Sequence, residues 1–279
     1  MKSEDLKNKL EEWLTELEYD EKSENTIKKY KVNIMAFIEF IKDKELNKKI
    51  YLDFVKKLET VDEYLPNTSN SYIVAINKFL KWLGYKEMLV KQLKIQQDSS
   101  INEYMSVSDC KRLLRFAKKN NQMDTYYIIQ ILRKTGIRIS ELKYFTIENL
   151  DTEIIIRNKG KIRNIPVVID LVRELKKYAK SRNITSGTLF PGKKEGQMFV
   201  PSTIWRRLKK LAGQARVNKD NVHAHSFRHL FAKLYLETYP GDIAGLADIL
   251  GHNSLETTRI YTRDSNKEKE LKIRKIKFS

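Results

Sequence analysis

The chain has 279 residues, 41% of them hydrophobic, and carries 54 Lys and Arg against 36 Asp and Glu, a formal charge of +18 at pH 7. That length gives room for two domains with a core each, and the apolar fraction excludes a wholly disordered chain. The cationic excess points to a polyanionic partner, nucleic acid before a membrane surface. A single cysteine, Cys110, excludes an internal disulfide and a cysteine-based zinc site. The charged, amphipathic N-terminus lacks the apolar core of a signal peptide, and no run approaches the ~20 apolar residues of a membrane span. A soluble cytoplasmic protein with no membrane partner is expected.

In chain order, the first residues, to about 95, read as helical throughout. Ile27, Tyr30, Ile34, Phe37, Ile38 and Ile41 recur at helical spacing with lysines on the opposite face, and Ser23 or Asn25 can cap that helix. A shorter helix is expected around Ile50 to Leu58. Ile73, Ile76, Leu80 and Leu83 mark another, with Gly84 suited to its end. Polar residues cluster at 95–104, which suggests domains at 1–96 and 105–279 joined by a linker at 97–104. Helical periodicity returns at 106–119 and 123–136. Two apolar, β-branched runs, 153–157 and 164–168, flank a turn containing Lys159, Gly160 and Lys161 and read as a hairpin. Helices follow at 170–180, 201–213, 225–239 and 242–250, and a last short one carries Tyr261. The expected fold is therefore mainly α: an all-helical N-terminal domain, then a mainly helical one with a small β-sheet. No internal repeat at a fixed period is present, which argues against a solenoid.

Three of the four histidines fall within "NVHAHSFRHLFAKL", residues 221–234. Such a stretch can be a metal cage, a buried helix rich in imidazole, or an anion seat. His225 and His229 are one turn apart, as in two-histidine zinc half-sites. No glutamate follows His225 as a metal helix would require, and the neighbour on that face is Arg228, which favours an anion. "KTGIRISELKYF" ends a helix at Gly136 and presents Arg138 at the start of the next, where guanidinium donors join free backbone N–H groups. By themselves Arg138 reads equally as a surface partner of Glu141, Lys159 as a solvated loop lysine, and Tyr261 as one of 14 tyrosines at a core edge.

Taken in order, Arg138, Lys159, His225-x-x-Arg228, His252 and Tyr261 resemble the pattern of the tyrosine recombinase (phage integrase) family. "TGIRISEL", "HSFRHLFA" and "LGHNSLETTRIYT" look like that family's three catalytic boxes, with the usual nine-residue step from His252 to Tyr261. "SENTIKKYKVNIMAFIEFI" looks like the opening of its core-binding domain, so the resemblance covers nearly the whole chain. It implies a site-specific recombinase that cleaves and rejoins double-stranded DNA through a 3′-phosphotyrosine and exchanges strands through a Holliday junction.

The chemistry explains the residue types. Phosphodiester cleavage builds negative charge on the non-bridging oxygens, and paired donors from Arg138 and Arg228 act where that charge develops. The resemblance makes Tyr261 the nucleophile. A free phenol titrates near pH ~10, so it needs nearby cations or a base. The resemblance likewise implies that His225 assists that proton transfer, that His252 hydrogen-bonds a phosphate oxygen, and that Lys159 would protonate the departing 5′ oxygen as general acid. The segment from Lys159 to Pro166 is about one residue shorter than the commonest family pattern, so Lys161 and Arg163 compete for that last role. His223 and His229 match no required role and are assigned to helix packing or DNA contact. No cofactor and no metal are implied.

The resemblance also implies a two-domain clamp on duplex DNA and a homo-tetramer on paired sites, with a dimer or monomer in the absence of DNA. Phosphate and groove contacts are expected from "PSTIWRRLKKLA" and "TIKKYK". The segment after Tyr261 would pack Ile273, Ile276 and Phe278 on a neighbour. An N-terminal arm-binding domain is not expected, which suits a simple Xer-like or transposon-resolvase type. Two other functions stay open: type IB topoisomerase-like relaxation, and a catalytically silent DNA-binding protein on the same fold.

Overall fold

The computed structural model describes residues 1, 3–42, 44–95, 105–158, 161–192, 198–252, 254–262, 270 and 273–276. The chain divides into two compact units, Met1–Gln97 and Asp98–Ser279. The expected linker, 97–104, lies outside the described residues.

The first unit packs four helices, α1 (Ser3–Tyr19), α2 (Glu24–Ile41), α3 (Lys48–Thr60) and α4 (Pro66–Trp82), around one core. Ser23 caps α2 by accepting from the Thr26 N–H, so the cap is Ser23 and not Asn25. Ile34, Phe37, Ile38 and Ile41 are buried as their spacing requires, while Ile27 and Tyr30 are half-buried at the edge. Tyr51, fully buried, donates its hydroxyl to the Ile73 carbonyl.

Beyond α4 the chain turns back along that helix, held by two asparagines. Asn77 Nδ2 donates to Val90 O at 2.7 Å while its Oδ1 accepts from Val90 N at 3.1 Å. Asn70 does the same with Leu93, at 3.0 and 2.7 Å. Two helical turns rise about 10.5 Å and three extended residues span about 10 Å, so both amide pairs close at once.

The second unit contains α5 (Val107–Lys119), α6 (Met123–Thr135), a hairpin of β1 (Glu153–Asn158) and β2 (Lys161–Pro166), then α7 (Ile169–Ser181), α8 (Pro201–Gln214), α9 (Ala224–Thr238), α10 (Ile243–Leu250) and α11 (Leu255–Arg259). Ser106 and Asp109 form a reciprocal capping box at the start of α5. The strands pair antiparallel with Ile154 opposite Ile165 and Ile156 opposite Arg163. Alternation buries Ile154, Ile156 and Ile165 and leaves Ile155 and Ile162 exposed.

The second strand differs from expectation. It runs 161–166, not 164–168, because the ladder is set by its partner across the hairpin and not by the apolar run. Val167 adds one bond to Thr152 O, and Val168 already occupies the cap position of α7.

The main core of this unit gathers residues from α5 to α9 and both strands, including Ile128, Leu132, Phe145, Ile154, Leu171, Leu175, Phe190, Leu208 and Phe227. A smaller cluster, Ala232, Leu246 and Leu250, with Phe231 and Tyr261 packed on it, sits where α9 meets α10. No helix among the described residues is long and apolar enough to cross a membrane.

Candidate active site

Two helix ends place both arginines. α6 stops at Gly136, which takes the left-handed conformation at φ +63. A Cβ there would lie 2.6 Å from Phe231 and 2.8 Å from Leu250, so only glycine lets these helices approach. Two residues on, Arg138 opens the 3-10 stretch Ile139–Tyr144, its N–H donating to Glu141 Oε2 at 2.7 Å. Its Nη2 donates to Gly251 O at 3.2 Å, and its Nη1 lies 3.4 Å from Glu141 Oε1.

Arg228, on α9, is 1% exposed, among the largest fully buried side chains. Nη1 donates to Gly136 O at 2.7 Å and Nη2 to Leu250 O at 2.9 Å. These carbonyls end α6 and α10, where backbone acceptors lack intrahelical partners and the helix dipole is negative. That environment lets a guanidinium be buried without a carboxylate on it. Burial and the Arg138 charge push its pKa down, and the neighbouring Tyr261 phenol opposes them. Its Nε is buried with no hydrogen-bond partner among the described residues.

The geometry also fixes the His252 tautomer. Arg228 Nη2 lies 2.7 Å from His252 Nε2, and a guanidinium only donates, so Nε2 is the acceptor. The proton therefore sits on Nδ1 and goes to the buried Thr258 Oγ1 at 2.8 Å. Desolvation, then Arg228 and Arg138, push the His252 pKa down to about 4.

Tyr261 sits in the 3-10 turn Ile260–Thr262 that follows α11, so the expected short helix ends just before it. Its ring stacks on His252 at 5.9 Å and meets His229 edge-on at 4.7 Å. His225, one turn before His229, packs against it at 4.6 Å with its own ring exposed. Burial first, then the neighbouring histidines and Arg228, bring His229 to about 3. Partial desolvation and then Arg228 hold His225 below its ordinary value. Near neutral pH these rings are uncharged, and among the described residues Arg228 and its neighbour Arg138 bring positive charge to the surroundings of the phenol.

Arg138, Arg228, His252 and Tyr261 thus meet around the end of α10, with His225 joined to them through His229. Lys159 lies outside the described residues, as does the Lys161 side chain. Arg163 is described, and it is not available as a general acid: Nη2 bonds Glu141 Oε2 at 2.7 Å, Nη1 bonds Ile249 O at 2.9 Å, and a guanidinium keeps its proton. His223 is half-buried at the cap position of α9, with no side-chain cap bond. Among the described residues no three His, Cys, Asp or Glu side chains are grouped to hold a metal ion.

The sequence did not give three contributors the places they take here. Thr258 carried no signal beyond its spacing from His252. Glu141, 2% exposed, stood only as a surface partner for Arg138. Arg163 did carry one, since it shares strand parity with the inward Ile165 and a cation turned inward needs a buried partner.

The expected basic contacts are partly spent. On α8, Arg207 pairs with Asp124 at 3.0 Å while Arg206 stays exposed. On α2, Lys31 pairs with Glu11 at 2.7 Å and Lys29 donates to Ser71.

Residues 103–268 match the model of the phage integrase family. Over 261 residues the chain is 31% identical to tyrosine recombinase XerA of Pyrococcus furiosus, covering 91% of this chain and 88% of that protein. The crystal structure of XerA recombinase superposes with a TM-score of 0.53 at 25% identity, covering 98% of this chain and 99% of that one. A lambda integrase tetramer bound to a Holliday junction gives 0.72 at 14% identity, covering 93% and 77%, a likeness of fold.

Proposed function

The chain belongs to the phage integrase family and is a tyrosine recombinase, a DNA strand-transferring enzyme, and from that premise we propose how its residues divide the work of site-specific recombination. The observation that carries the assignment is the meeting of two guanidiniums, one imidazole and one phenol at the end of α10.

Tyr261 Oη attacks the scissile phosphorus, the bond from phosphorus to the 5′ oxygen breaks, and a 3′-phosphotyrosine forms. His225, neutral at pH 7, takes the phenolic proton, and Lys159 gives one to the departing 5′ oxygen. Arg138 and Arg228 donate to the non-bridging oxygens as their charge grows. Arg228 now holds two helix-end carbonyls, so the phosphate takes over donors already aimed at the site. His252 can donate to that phosphate only after Nε2 gains a proton. An oxygen entering between it and Arg228 favours that change.

In the return step a 5′-hydroxyl of the partner duplex attacks the phosphotyrosine and Tyr261 leaves. No bond energy is drawn from a nucleotide, and the arginines supply the charge that a metal would otherwise bring. Residues 1–96 act as a core-binding domain, 97–104 as linker and 105–279 as the catalytic domain on double-stranded DNA. The lambda integrase tetramer on its junction supports a homo-tetramer that exchanges strands through a Holliday junction.

The test is a nicked suicide duplex carrying a site that the protein selects from random-sequence DNA, incubated in EDTA. A covalent protein–DNA band is expected, and Tyr261→Phe abolishes it. A band that persists in Tyr261→Phe, or that vanishes on chelation alone, overturns the assignment.

A further inference from the structure

We propose that Arg163 is a positioning residue for this reaction: it neutralises Glu141, so that Arg138 keeps its positive charge for the scissile phosphate. The role rests on the DNA cleavage proposed above.

Arg138 does not face solvent alone. Glu141, buried at 2% exposure, accepts the Arg138 backbone N–H at 2.7 Å and lies 3.4 Å from Nη1 of the same residue. A carboxylate so close would cancel the charge that a phosphate needs. Arg163 changes the balance. From β2 it places Nη2 2.7 Å from Glu141 Oε2, with its side chain 17% exposed. One anion between two cations leaves one positive charge, and the shorter contact is the one made by Arg163. Glu141 is thereby kept as the cap that fixes the Arg138 backbone without drawing its guanidinium out of use.

The second hand of Arg163 has a structural task. Nη1 donates to Ile249 O at 2.9 Å, in the last turn of α10. Gly251, the left-handed residue ending that helix at φ +64, lies beneath the same side chain, and a Cβ there would meet Arg163 Nη1 at 2.3 Å and Cδ at 2.8 Å. Arg138 donates to Gly251 O, and His252 follows directly. One side chain therefore ties β2, the Arg138 turn and the His252 loop together. Strand parity turns it inward, opposite Ile156.

The test compares Arg163→Gln, Arg163→Lys, Glu141→Gln and the Glu141→Gln/Arg163→Gln double variant. Each is assayed for binding and for single-turnover cleavage of the nicked duplex described above. Arg163→Gln should slow cleavage on the order of 10- to 100-fold with little change in binding, and Arg163→Lys should recover part of it. The double variant should recover most of the loss, because glutamine still accepts the Arg138 N–H and no longer cancels its charge. The urea midpoint of each variant is measured alongside, and a residue that merely held the fold would change cleavage only in step with that midpoint.

Wild-type cleavage by Arg163→Gln, or a double variant as slow as the single, overturns the proposal. Should Arg163→Gln fail to fold, the comparison moves to Glu141→Gln with and without Arg163. Removing the arginine there should cost less than about threefold on the same rate scale, and a further tenfold loss is fatal. A wild-type protein that forms no adduct refutes the recombinase assignment instead, so the two failures are distinct.

Discussion

Thr258 accepts the Nδ1 proton of His252 and so decides which ring nitrogen faces Arg228. Thr258→Val keeps the shape but leaves a buried N–H unpaired, which costs about 1–3 kcal/mol, and it frees the ring to take the other tautomer. Cleavage by this variant should fall about tenfold, matching ~1.4 kcal/mol, whereas Thr258→Ser should stay near wild type. Nitrogen NMR of the His252 ring would show the tautomer shift directly. Arg228→Lys should be worse, since an ammonium cannot reproduce the fork that spans Gly136 O, Leu250 O and His252. We expect at least ~100-fold slower adduct formation, measured at saturating protein. Arg138, Arg228, His252 and Tyr261 were legible as a group from their order along the chain. The supporting parts of Thr258 and Glu141 were not, and Arg163 was read only as a rival general acid, because a supporting side chain is recognised by what it touches, and those contacts join α11, the Arg138 turn and β2.

At the scale of elements, most helices could be read from apolar spacing, since each buries one stripe, as Ile34, Phe37 and Ile38 do on α2. The hairpin was legible as a pair of strands but not in its limits. Arg163 and Ile162 look like turn residues until Ile156 and Arg157 are set opposite them. Gly136 joins element to site. Gly136→Ala must adopt φ +63 with a Cβ against Phe231 and Leu250, and it would displace the carbonyl that holds Arg228. A loss of roughly 1–3 kcal/mol in unfolding free energy is expected, together with slower cleavage. Urea titration and the suicide duplex would measure the two separately.

For the molecule as a whole, charge and protons set the working range. The folded protein keeps His252 neutral to about pH 4 and His229 to about pH 3, while an unfolded chain protonates both near the ordinary value of 6.5. The unfolded state therefore binds more protons as pH falls through that interval. The stability linked to these rings is complete above 6.5 and drains away toward 4 and 3. The urea midpoint should drop across this range, and His252→Gln should lessen the drop. An unchanged slope in that variant would exclude the ring as a cause. DNA binding should weaken steeply with salt, as counterion release requires of a chain with a formal charge of +18. Filter binding at several salt concentrations gives the slope, and a nearly flat response would count against a duplex clamp. Ile273 and Ile276, expected to pack on a neighbour, are 59% and 55% exposed, and Phe278 lies outside the described residues. Deleting the segment beyond Thr262 should impair synapsis more than binding, and unchanged recombination would dismiss that contact.

The two asparagines on α4 determine where the chain tolerates surgery. Because Asn70 and Asn77 read Leu93 and Val90 in register, one residue inserted between those two partners would slip a rung and strand an amide pair. The same insertion after Ile95 would leave both rungs whole. An autonomous N-terminal fragment must for the same reason extend past Leu93: cut at Tyr85, it would lose the strip of backbone that these carboxamides were built to grip.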